Sequence, residues 1–277
     1  MYHPTTIGYV LPIYYLMCAC SHFSTFLQFH GECDLVLLHN PEFKDVGMDI
    51  HIRTKITEFW SSVEAAAVKI GQEVLEIRAD PDSNQWLWLN GQVNQPLEDG
   101  VWYQGSISGF LLRYKEAHGK VGLTRQANIY IEGSKELIIL KAFKSFVRID
   151  IDPEGSKNYD NALGLLGSQA HNGERLGRDG ETFIEDFDDF GQEWQVQPMV
   201  DGQLFHTYEG AVVGEKCILP PAFDPETVQL QQRRLAESGM THEDAEAACD
   251  HLVDPEEKQA CIFDVLATQD LSMASAW

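Results

Sequence analysis

Basic residues are scarce in this chain. Twenty lysines and arginines stand against 43 aspartates and glutamates, a formal charge of −23 over 277 residues. Such a polyanion repels phosphate backbones and anionic headgroups, which sets nucleic acid aside as a partner. The acidity suits a solvated extracellular surface, cationic partners or divalent ions, with solubility alone the favoured reading. Hydrolase signatures are missing: the ten histidines form no H-E-x-x-H, and there is no G-x-S-x-G elbow. The glycine-rich stretch 164–180 lacks the G-K-[ST] ending of a phosphate cradle, and no C-x-x-C pair points to zinc or redox chemistry. His22, His30 and His51 lie on or beside expected strands and read as structural.

Long apolar runs are lacking too. Residues 7–20, IGYVLPIYYLMCAC, are too few for a membrane span and are broken by Pro12, so no stable transmembrane span is expected. Residues 1–21 read as the apolar core of a secretory signal, as a buried strand, or as an incomplete start; Met1 to Thr6 carries no Lys or Arg. Six cysteines are too few for a disulfide-dense miniature scaffold. Cys18 and Cys20 lie early, Cys33 and Cys217 bracket the central region, and Cys249 and Cys261 lie close together. That layout fits long-range and local staples in an oxidising compartment, with connectivity open.

What is present is a foldable chain, 44% hydrophobic and 10% aromatic, long enough for one large all-β domain plus an appendage. Met48, Ile50, Ile52, Thr54 and Ile56 alternate with Asp49, His51, Arg53, Lys55 and Thr57, which predicts a half-buried strand. A second strand places Val63, Ala65, Ala67 and Lys69 on one face and Ala66, Val68 and Ile70 on the other. Val74, Leu75 and Ile77 make a third. Asp80 to Asn84 is a turn cluster, and Asn90-Gly91 between WLWL and QV is a hairpin signal. Residues 94–109 read as loop. Strands resume at 109–114, 127–131, 136–141 and 145–151, completing an antiparallel meander. Trp60, Trp86, Trp88 and Trp194 read as core residues.

Gly164 to Trp194, GLLGSQAHNGERLGRDGETFIEDFDDFGQEW, holds six glycines, which predict a folded loop rather than helix or strand. Val196 is expected to complete a short strand. The acidic run Glu185 to Asp189 offers oxygens to a hard cation, but its spacing does not fit an EF-hand loop, and a solvated turn is the favoured reading.

G-L-L-G, a polar loop with N-G, then R-D-G and D-D-F-G-x-E-W resembles the closing segment of the von Willebrand factor type D domain. There the text is G-L-C-G-N-F-N-G, a D-G turn and F-G-x-S-W; Leu166 stands in place of the cysteine, and Ser168 to Ala170 in place of Asn-Phe-Asn. His22-Phe23, Thr25-Phe26, Phe29 and Gly31 to Cys33 followed by Asp34 to Leu38 are similar to that family's opening. The Gly-Asp-Pro before the histidine is absent, so no self-cleavage is expected there. The resemblance covers about residues 22–220. It implies a Cys33–Cys217 disulfide, and it leaves Cys18 or Cys20 without the usual partner and so free for an intermolecular bond. It also implies a calcium site of which Asn172 and nearby backbone carbonyls remain; Asp188 and Asp189 are candidates from the acidic run alone.

Beyond Asp224 the text turns helical. Glu226 to Glu237 is expected as a polar helix, Thr241 to Asp244 as a capping-box start of a helix reaching Cys249, and Asp254-Pro255 as the start of another. Together these read as a helical hairpin stapled by Cys249 to Cys261. The text from AEAAC to ACIFDVLATQDLSMASA is similar to the segment after the type D domain in repulsive guidance molecules, which implies an extracellular context and a local disulfide.

The resulting expectation is a mostly β protein: an antiparallel, sandwich-like type D domain over 22–220 and a helical, disulfide-stapled tail over 221–277. Its expected role is a non-catalytic extracellular module, structural or protein-binding, that self-associates through Cys18 or Cys20. The alternative is a calcium- or carbohydrate-associated adhesion protein of a cell wall or matrix. A hydrolase relying on His30 or Asp188 is the third class.

Overall fold

The structure, a computed structural model, describes residues 29–57, 60–119, 122–132, 136–152, 157–167, 174–206, 216–220 and 239–277. Strands β1 (Asp34–Asn40), β2 (Met48–Thr57), β3 (Trp60–Ile70), β4 (Glu73–Arg78), β5 (Leu87–Leu89) and β6 (Gln92–Val93) pair antiparallel in chain order into a six-stranded sheet. Asn90 and Gly91 take φ of 51° and 74°, the left-handed pair that a two-residue hairpin requires between β5 and β6. Strands β7 (Tyr103–Ile107), β8 (Phe110–Gly119), β9 (Gly122–Glu132), β10 (Glu136–Phe143) and β11 (Phe146–Asp152) form a second antiparallel sheet, also in chain order. The fold is therefore mostly antiparallel β, in sheets of six and five strands.

Both sheets contribute to one core. Ile50, Ile52, Val68 and Ile77 from the first, with Ile129, Ile138, Leu140 and Ile149 from the second, are each at most 1% exposed. At about 1.5–3 kcal/mol per buried aliphatic side chain, this shared interior is the main force holding the sheets together.

Several local expectations are corrected. The polar face of β2 is not solvated: His51 and Arg53 are 0% and 1% exposed. The reason is tertiary, since Leu204 and Phe205 lie over Ala65 and Ala67 on that side and the Arg53 guanidinium stands 4.4 Å from the centre of the Phe205 ring. Strict alternation fails on β3, where the pairing shifts between Arg53 opposite Ala65 and Thr54 opposite Val63. That bulge leaves Glu64 unmatched and turns Val63 into the main core with Ala66, Val68 and Ile70. Residues 94–109 contain β7, whose text YQGSI is too polar to signal a strand and which forms by pairing with β8. The closing stretch 164–194 is not wholly loop, for α1 (Phe187–Glu193) lies inside it. Val196 makes no strand but donates its amide to the Asp34 carbonyl, beside an isolated Leu35–Gln195 bridge.

The closing stretch occupies the outer edge of β1. The amides of Val36 and His39 donate to the carbonyls of Trp194 (2.8 Å) and Leu163 (2.7 Å), and those of Leu165 and Leu166 donate to Val36 and Leu37. An edge strand left bare would template pairing with another chain; here its ladder is filled from within. Gly164 makes this close approach achievable, with φ of 136° and a would-be Cβ 3.0 Å from the Cα of Leu38.

In the tail, α2 (His242–Ala248) begins at Thr241, whose hydroxyl accepts from the Asp244 amide while the Asp244 carboxylate accepts from the Thr241 amide. Helix α3 (Pro255–Thr268) follows, and Cys249 and Cys261 are disulfide-bonded. The unit docks on the β10–β11 hairpin, where Phe143 and Phe146 join Ala245, Ile262, Val265 and Met273 in a second core. Lys144 at the hairpin turn pairs with Asp270, and the Arg148 guanidinium lies 4.4 Å from the Trp277 ring. Trp277 donates its indole N–H to Asp264 at 2.8 Å; burial holds the Asp264 carboxyl well above the usual carboxylate range. The expected helix over 226–237 lies outside the described residues.

Candidate functional site

Of the expected site residues, Cys33, Cys217, Asp188 and Asp189 belong to the region where the closing stretch meets the start of β1, while Cys249 and Cys261 lie in the tail. Cys33 and Cys217 are disulfide-bonded across 184 residues, with their Cα atoms 5.2 Å apart. The bond is framed on both sides. Glu32 pairs with Ile218 in an antiparallel bridge, and the Gln192 side chain brackets Cys217, accepting from its amide at 3.1 Å and donating to its carbonyl at 3.3 Å. The Phe29 ring lies between Gly31 and Gly191, against which an added Cβ at either glycine would collide.

Helix α1 follows from its first turn. Asp186 stands in extended conformation at the N-cap and accepts from the amides of Asp188 and Asp189, both at 2.9 Å. Acidic residues in that turn also complement the positive end of the helix. Asp188 and Asp189, expected as calcium candidates or as part of a solvated turn, are thus first-turn residues of a capped helix. The Asp188 carboxyl is pushed up by burial and by the neighbouring charges of Asp186 and Asp189. Among the described residues no three His, Cys, Asp or Glu side chains are grouped to hold a metal ion. Asn172, Cys18, Cys20 and His22 lie outside the described residues.

Arg178, at the head of the R-D-G turn, organises the segment that crosses the first sheet. Its guanidinium donates to the carbonyls of Glu193 (2.8 Å) and Gln195 (2.9 Å), grips both carboxylate oxygens of Asp201 (2.6 and 3.1 Å), and lies 5.0 Å from the Trp194 ring centre. Trp194 in turn donates its indole N–H to the Leu176 carbonyl at 3.0 Å. Asp179 folds the turn by accepting from Thr182 and Glu181, bonds that hold its carboxyl down at about 2, those from Thr182 foremost. The side chains of Arg178 and Asp179 are therefore both engaged in folding.

Beneath this segment lies a buried ionic layer. Arg53 makes two hydrogen bonds to Asp34, at 2.7 and 2.9 Å, and Phe205 covers the guanidinium. His51, two residues earlier on the same face of β2, is fully buried with neither ring nitrogen hydrogen-bonded. Burial lowers it to about 4, against the upward pull of Asp49, Asp201 and Asp34. Burial likewise lowers His30 to about 4, and its Nδ1 accepts from the Ser61 amide at 3.3 Å. His30 is 5% exposed, so this bond to a backbone amide is a buried one.

Arg178 and the Arg53–Asp34 pair were not legible as a unit, because their partners lie far away in sequence. The only trace is an arginine on a strand face whose cover, Leu204-Phe205, carries no motif of its own. The two disulfides fit an oxidising compartment. No helix among the described residues is long and apolar enough to cross a membrane. No protein-family model matches this chain, and no curated protein matches it.

Proposed function

We propose that this chain is a secreted or surface-exposed, non-catalytic interaction module built on a type D-like domain. The observation that carries the reading is the Cys33–Cys217 bond: it joins the two positions that resemble the family's domain-closing pair, at the point where the closing stretch fills the edge of β1. Sequence order supports it as well, since the G-x-C opening, the paired strands, the G-L-L-G stretch and the F-G-x-E-W ending occur in the family's succession. Self-association through Cys18 or Cys20 is part of the proposal.

The test is a mass-spectrometric disulfide map of protein recovered from its native source, with a non-reducing gel beside it. The reading expects Cys33–Cys217 and Cys249–Cys261 peptides and a reducible oligomer that Cys18→Ser with Cys20→Ser abolishes. Six free thiols would place the chain in a reducing compartment and remove the extracellular role. A monomeric band in the native protein would remove covalent assembly.

A further inference from the structure

The second sheet ends on β7, and that edge is bare. Ser108 and Gly109, with φ of 49° and 85°, form the two-residue turn that joins β7 to β8. The residues flanking such a turn, here Ile107 and Phe110, exchange both backbone bonds. Bonding then alternates along the pair, Gly105 with Leu112 and Tyr103 with Tyr114. The amides and carbonyls of Gln104 and Ser106 therefore point away from β8. Both residues are exposed, and neither backbone has a further hydrogen-bond partner among the described residues. On β1 the closing stretch fills the outer ladder, whereas the β7 text YQGSI has no charge and no proline, and its pairing with β8 runs without a bulge. The usual devices that keep an edge from accepting another strand are missing.

The face beside this edge selects the strand. Leu112, Ile129 and Ile138 point into the core, so Gln104 and Ser106 share the outer face with their β8 partners Arg113 and Leu111, and with Lys115 two residues further on. Arg113 and Lys115 form no ion pair with a carboxylate among the described residues, and Arg113 Nε is buried without a partner. Lys115 instead places Nζ 4.6 Å from the centre of the Trp102 ring, at the entrance to β7. Nearby acids are engaged elsewhere: Glu116 holds Arg125 on the inner face, and Asp99 accepts from His118. With 43 acidic residues against 20 basic ones, two neighbouring cations left without carboxylates are an exception that a partner can answer.

A strand added to β7 would lie about 4.8 Å from it and about 10 Å from β8, a gap that Arg113 or Lys115 and a glutamate on the new strand can close between them. A second copy of this chain fits poorly. Two β7 edges side by side would set Gln104 and Ser106 against each other, answer neither cation, and bring together two chains of formal charge −23. We infer that β7 accepts an antiparallel strand from a partner protein, an extended acidic segment whose alternate carboxylates face Arg113 and Lys115 and whose apolar residue lies beside the exposed Leu111. This inference and the type D reading fail separately, since strand addition requires neither that family nor the disulfides.

The test is an amide NMR titration of the full chain at low salt with the end-blocked peptide Thr-Leu-Thr-Glu-Thr-Glu-Thr. Saturable shifts are expected at the amides of Gln104 and Ser106, with a Kd on the order of 0.1 mM. Arg113→Gln with Lys115→Gln is expected to weaken binding about fivefold or more, and a peptide with lysine at both glutamate positions should not bind. Ser106→Pro removes an outward donor where an edge strand tolerates proline, and a peptide N-methylated at the residues facing β7 blocks the ladder from the other side; each should abolish the shifts. The inference is overturned if the acidic peptide gives no saturable shifts at this edge, if the lysine peptide binds equally, or if the charge variant or the N-methylated peptide binds as its parent does. Shifts of the same amides that grow with protein concentration alone would assign the edge to a second copy and overturn it as well.

Discussion

The Phe29 ring fills the space in front of Gly191 so completely that a Cβ on that residue would fall inside it. A glycine in the middle of a short helix costs about 1 kcal/mol relative to alanine, so by propensity alone Gly191→Ala should stabilise α1. Contact reverses the sign. The substitution is expected to destabilise the protein by about 1–3 kcal/mol, the usual range for overpacking, measured as a lower urea midpoint. Gly191→Ala combined with Phe29→Leu should recover part of the loss; a single variant more stable than wild type would remove the ring from its assigned place.

The two disulfides should differ in worth. The chain-entropy model assigns about 5 kcal/mol to a loop the length of Cys33 to Cys217 and about 3 kcal/mol to one the length of Cys249 to Cys261. Paired Cys→Ala variants, compared by urea unfolding, should therefore rank with the Cys33–Cys217 pair as the more costly. The reverse ranking would mean that the unfolded domain is already compact.

Acid should weaken the fold through its buried histidines. An unfolded histidine takes up its proton near pH 6.5, whereas burial keeps His51 neutral down to about 4. Between those values the unfolded state binds more protons, so stability falls as the pH drops through that window and levels off beneath it. The loss from His51 is on the order of 3 kcal/mol, and His30 adds to it in the same window. His51→Leu, which deletes two ring nitrogens that have no partner among the described residues, should shrink the loss of stability, measured by urea midpoints, between about pH 7 and about pH 4, a loss that the buried Asp264, with its carboxyl held high, opposes. An unchanged loss would show that His51 opens to water well before it charges.

Asp186 and Asp188 are neighbours with opposite roles. Asp186 caps α1, and Asp186→Ala should cost about 1 kcal/mol. Asp188 caps nothing and suffers the charges of Asp186 and Asp189, so Asp188→Asn should be neutral or slightly stabilising. Thermal melts of the two variants at low salt distinguish them, and equal losses from both would contradict the assigned cap.

Much of the β framework was legible because its signals are local. Alternation placed β2, Asn90-Gly91 placed the hairpin between β5 and β6, and Thr241 with Asp244 placed the start of α2. The failures have distinct causes. His51 and Arg53 are buried by residues about 150 positions away, Val63 changes face because Glu64 bulges, and Gly191 sits in a helix because a cap at Asp186 outweighs its propensity.

The bond between Cys33 and Cys217 also determines how the molecule would carry a load. Tension entering before Cys33 and leaving after Cys217 travels through one covalent link and bypasses everything between them. The sheets and the clasp lie on that sheltered loop, and once the tail is pulled off the β10–β11 hairpin, further tension would not extend them. Once the bond is reduced, the strain passes to β1, which is held at its edge by a handful of hydrogen bonds to Leu163, Leu165, Leu166 and Trp194. The link is a mechanical fuse whose setting is the redox state of its surroundings.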